Sequence, residues 1–148
     1  MMRIGIALFV VLATFAVAGA EQRVFSFEHN GSLMSLEVFD NGRRDTPHHF
    51  DIIYENPRKG MRDEGVEPGT IFFEGDAFPD QTVVGTAYVF LGGCEPFPYK
   101  VSGKFTDKQH LVLHGPSPIV YEGCRVAGLR NYGPNTRLEF EFVSPQME

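Results

Sequence analysis

The side chains of this 148-residue chain best placed to do chemistry are five histidines, one short run of cations and two cysteines. His48 and His49 are adjacent, so in extended backbone they point to opposite sides and cannot chelate one ion together. His110 and His114 share a face, but four residues of strand separate them by about 13 Å, too far for co-ligation. Asp45 and Asp51 lie near His48 and His49. That loop is where a metal-dependent or hydrolytic enzyme would have to work, and it stands as the alternative reading. There is no Gly-x-Ser-x-Gly elbow and no Cys-x-x-Cys pair. Glu37, Glu55, Glu74, Glu139 and Glu141 alternate with apolar residues, which places them on a wet strand face rather than in a catalytic pair. The expectation is a protein without catalytic residues, metal or cofactor.

The cation run is Arg58-Lys59-Gly60-Met61-Arg62. Three positive charges within five residues can receive a carboxylate or a phosphate. Asp63, Glu64 and Glu67 follow at once, so local neutralisation is the competing reading. Phe97 and Tyr99, beside the first cysteine, offer either an exposed aromatic contact or a plug for the end of the fold. Arg58, Lys59, Arg62, Phe97 and Tyr99 are therefore the candidate binding residues.

Two cysteines in an exported chain most simply form one disulfide, Cys94 to Cys124. Export is read from residues 1–20. Arg3 is a short positive end, Ile4 to Val17 an apolar run, and Ala18-Gly19-Ala20 a small-x-small cleavage pattern. Removing that segment leaves residues 21–148, a size that suits one domain. The net charge of −6 becomes more negative still once Arg3 is lost. An acidic chain lacks the basic footprint of a nucleic-acid binder, and no span would remain to hold it in a membrane. The chain carries 14 Phe and no Trp.

The elements that must position these residues read as short strands. Residues 23–28 and 32–39 flank His29-Asn30-Gly31, and Asn-Gly between two β-prone runs marks a hairpin. Further strands are expected at 50–55, 70–75, 82–91, 99–106, 110–115, 124–130 and 136–143. A possible single helical turn falls at Met61 to Glu64. The long connections are 40–49, 56–69 and 116–123. No stretch has a sustained helical period, so the fold class is all-β: one antiparallel meander curled into a small barrel, or else a bent sandwich. In a meander, alternate connections share an end. The 29–31 turn, the 56–69 segment, the Cys94 corner and the connection to Cys124 would then share one rim. In a flat sheet, strands six and eight lie ~10 Å apart, whereas bridged Cα atoms lie within roughly 7 Å. The sheet must curl, or a loop must fold over its end; curling is the reading adopted.

Several phrases together, HNGSLM, Pro57-Arg58 leading to Gly65-Val66, PGTIFFEG, GTAYVFLGGCEPFPYKVSG and LVLHGPSP, resemble an uncharacterised family of small exported bacterial β-rich proteins. The resemblance implies an envelope or extracellular location and a similar fold, and carries no activity with it. The resulting expectation is a periplasmic or secreted, non-enzymatic β-barrel. It would bind an envelope or extracellular protein, or a small ligand, through the loops at its disulfide end.

Overall fold

The computed structural model describes residues 22–39, 43, 45–107 and 110–143. The expected leader at 1–20, the second Asn-Gly at 41–42 and part of the 107–109 turn lie outside the described residues.

The chain forms β1 (Gln22–His29), β2 (Ser32–Phe39), β3 (His48–Asn56), a short helix α1 (Lys59–Asp63), β4 (Ile71–Ala77), β5 (Thr82–Val89), β6 (Phe97–Asp107), β7 (His110–His114), β8 (Ser117–Tyr121), β9 (Arg125–Arg130) and β10 (Arg137–Phe142). Eight strands close an antiparallel barrel in the order β1-β10-β7-β6-β5-β4-β3-β2, while β8 and β9 make a separate two-stranded ribbon. The barrel is the fold expected from the sequence, but the meander is interrupted. The strand anticipated at 124–130 is not a stave of the barrel. It is β9, paired with β8, and β10 goes directly to β7. The Cys94–Cys124 disulfide is present, with Cα atoms 5.4 Å apart. Cys124 reaches its partner because it sits in the turn of the β8–β9 ribbon, at φ 60°, so curling and loop reach both contribute.

Alternation decides what fills the barrel. On β3, Phe50, Ile52 and Tyr54 are buried, as are Leu111 and Leu113 on β7 and Leu138 and Phe140 on β10. Their neighbours Glu139 and Glu141 are exposed. A charged exterior over an apolar lumen inverts the pattern of a lipid-embedded barrel. Among the described residues no helix is long and apolar enough to cross a membrane.

Two local devices let large rings fit inside. Facing glycines, Gly75 and Gly85, are register partners on β4 and β5. A Cβ on either would meet the Phe73 ring at 2.6 Å as well as the opposite backbone. The ring thus occupies the space those two side chains lack. Next to it, the β3–β4 register skips Phe72. The extra residue of this bulge turns inward beside Phe73, and both rings are buried. Phe72 then meets Tyr54 and Phe140 edge to face, with centroids 5.6 and 5.7 Å apart. The lumen is packed with side chains, which directs attention to its rim and outer wall.

Candidate functional site

One rim gathers every connection that parity assigned to it. The Arg58 backbone N–H donates to Ser32 Oγ at 2.9 Å, tying the β3–β4 segment to the start of β2. The Gly92 N–H donates to the Glu64 carboxylate at 2.7 Å, tying the same segment to the β5–β6 corner. The disulfide ties that corner to the ribbon. The Tyr99 hydroxyl donates to the Asn135 carbonyl at 2.7 Å, tying β6 to the segment before β10.

Between these links lies a cleft of about 240 Å³, with His29, Asn30, Tyr54, Arg58, Phe72, Tyr88, Phe90 and Asn135 in its lining. His29 ends β1 and is followed by Asn30 and Gly31 at φ 47° and 81°, the left-handed pair that a tight hairpin needs. Its ring stacks on Phe140 at 4.6 Å. His29 Nδ1 donates to the Glu139 carbonyl at 2.7 Å. The other nitrogen, Nε2, therefore accepts from the Asn30 amide at 3.3 Å. Burial, chiefly, holds the His29 pKa below the ordinary histidine value; the Glu139 hydrogen bond opposes the shift and the nearby Arg58 charge adds to it. The imidazole is thus a neutral part of the wall. Burial likewise raises the phenol pKa of Tyr54 and of Tyr99. The Tyr88 hydroxyl donates to Glu74 at 2.8 Å, leaving its oxygen lone pairs as acceptors.

The three cations of the 58–62 run part company here. Lys59 pairs with Asp63 at 2.7 Å, one helical turn on. Arg62 Nη1 donates to the Pro57 carbonyl. Local neutralisation accounts for Lys59; Arg62 meets a neutral carbonyl, and among the described residues no carboxylate pairs with its guanidinium. Arg58 is exposed, packs its stem against Gly31 and lines the cleft. Among the described residues no carboxylate pairs with its guanidinium. Phe97 and Tyr99 are buried at 9% and 5% exposure, so they offer no exposed aromatic contact, and Tyr99 packs within the core of the barrel. The aromatic wall of the cleft comes instead from Tyr54, Phe72 and Phe90, whose rings meet at Tyr54. No pattern of residue types marks that grouping, because it depends on the bulge at Phe72 and on where β5 ends.

His48 and His49 lie at the opposite end of β3. His49 faces Asp51 through Nε2 and Asp76 through Nδ1, each at 3.2 Å. Burial, chiefly, raises the Asp51 pKa, while His49 opposes the shift. Among the described residues no group of three or more His, Cys, Asp or Glu is arranged to hold a metal ion. A second, open groove of about 670 Å³ crosses the outer wall near His49, past Glu74, Asp76, Thr86, Lys100 and His114. Its charges are engaged with their neighbours; Lys100, for example, donates to Thr86 at 2.9 Å.

No protein-family model, no curated protein and no solved structure matches this chain.

Proposed function

We propose that the protein is an exported, non-enzymatic binding module. It recognises an anionic group, carried by a protein or a small ligand, at the disulfide-end rim. The observation that supports this reading is Arg58: a guanidinium without a carboxylate partner among the described residues, at the lip of a cleft walled by aromatic rings and a neutral histidine. A planar guanidinium takes a carboxylate or phosphate through two parallel hydrogen bonds. The rings beside it accept an apolar body, and Asn30 and Asn135 also line the cleft. A cleft of this size admits a side-chain-sized group rather than a drug-sized ligand. The disulfide supports an oxidising compartment, consistent with the leader-like segment at 1–20.

Benzoate is a suitable probe, being a carboxylate on a flat apolar ring. In an amide NMR titration it should move the resonances of His29, Asn30, Arg58 and Asn135 together, with affinity on the order of millimolar, as befits so small a ligand. Benzyl alcohol, which has the ring without the charge, should bind more weakly. Arg58→Gln should weaken benzoate binding by roughly tenfold, the loss of one charge-assisted contact. Shifts scattered over the surface, or an unchanged titration in Arg58→Gln, would remove this rim as the site.

A further inference from the structure

The β8–β9 ribbon lies outside the barrel, and its outer strand is open. Among the described residues β9 pairs with β8 alone, and every residue from Arg125 to Leu129 is exposed. Val126 and Leu129 are 52% and 64% exposed, and Tyr121 and Tyr132 nearby are 53% and 70% exposed. An apolar strand with a free row of backbone donors and acceptors is a template for a further strand. The disulfide fixes the ribbon's turn to the β5–β6 corner, so little ordering remains to be done when a partner arrives.

The charges choose between occupants. β9 reads Arg125-Val-Ala-Gly-Leu-Arg130, with a cation at each end. A second copy paired antiparallel about the strand's middle would set Arg125 opposite Arg130 at both ends. Like charges directly opposite are destabilising. A strand with an acid at each end and apolar residues between meets both cations and both exposed aliphatic side chains. We propose that β9 is a docking edge for an extended, acid-flanked segment of another protein, which adds to the ribbon as a third strand. The edge is bent midway, because the register skips Ala127 and Gly128 sits at φ 140°. The partner's contacts therefore fall in two short runs, one beside each arginine. This surface is independent of the Arg58 cleft.

The probe is a short capped peptide of alternating valine and threonine flanked by glutamates, with a lysine-flanked twin as control. The glutamate peptide should slow amide hydrogen exchange in β9 and bind about tenfold more tightly than the twin, the size expected of two surface ion pairs. Arg125→Glu, at an exposed position that the fold tolerates, should erase or reverse that preference. Leu129→Asp should weaken both peptides, and Arg58→Gln should leave both unchanged. Equal binding of the two peptides would overturn the proposal, as would slowed exchange confined to other strands. So would a dimer on sizing with β9 amides already protected without peptide, which would make a second copy the occupant.

Discussion

The barrel lumen and the β8–β9 ribbon use similar residues to opposite ends. Phe73, Phe140, Leu111 and Leu113 have 0% exposure in the lumen, whereas Leu129 and Val126 on the ribbon exceed half. The lumen is complete without the ribbon, because β10 pairs directly with β7 and β1 and so closes the wall by itself. None of residues 115–136 belongs to the core cluster. Apolar side chains inside stabilise the fold by leaving water and packing closely. Those on the ribbon contribute little to it, and their exposure needs another explanation. The two regions divide the apolar residues by burial: the barrel holds the core, and the ribbon keeps Val126 and Leu129 at the surface.

Breaking the lumen should have the largest effect. Phe73→Ala removes the ring that fills the space above Gly75 and Gly85, and the twisted strands around it cannot collapse freely into the void. A loss of about 3–5 kcal/mol is expected from a buried Phe, read from urea unfolding. A loss below ~1 kcal/mol would mean that the lumen is loosely packed.

A smaller effect lies at the boundary between the two regions. His29 has its pKa lowered by burial, so the unfolded chain takes up a proton before the folded one as pH falls. Its contribution to stability is therefore full above the unfolded value of ~6.5, and it is lost as pH drops through the lower folded value. Comparing thermal midpoints at pH 7.5 and pH 5 should show a decline, and His29→Gln should make that decline shallower. An equal decline in the variant would place the responsible group elsewhere.

The smallest effect belongs to the ribbon. Leu129→Ala should change stability by no more than about 0.5 kcal/mol, as is usual for exposed positions. A cost near that of Phe73→Ala would show that the ribbon is part of the core after all, and the contrast between the regions would fail.

Much of this was legible in the sequence. The run at 32–39 marks a strand with the bounds observed, and Asn30-Gly31 marks its hairpin because positive φ at both residues is a local demand. A glycine inside a strand pattern marks a close approach, and a Cβ on Gly103 would strike the Val112 carbonyl. β8 was not legible. Its sequence, Ser117-Pro118-Ile119-Val120-Tyr121, follows Pro116 and contains a second proline, which argues against a strand in a wall paired on both sides. In a two-stranded ribbon one edge needs no donor, and proline is tolerated there. The site was half legible. Arg58 stood out as a charge, but its freedom from local pairing depends on which neighbours Lys59 and Arg62 take. The aromatic wall depends on one skipped residue in β4, and a bulge has no reliable mark in a single sequence.

The seam between β1 and β10 has a consequence for how the protein comes into being. Phe27 pairs with Phe142 across it, so the first and last staves meet only after every residue between them has been made. Until then the nascent sheet has two raw borders, and such long-range closure is slow compared with local hairpin formation. A chain stopped short of residue 137 would have seven staves and a permanent gap. The order of synthesis thus puts the closing of the barrel in the hands of β10.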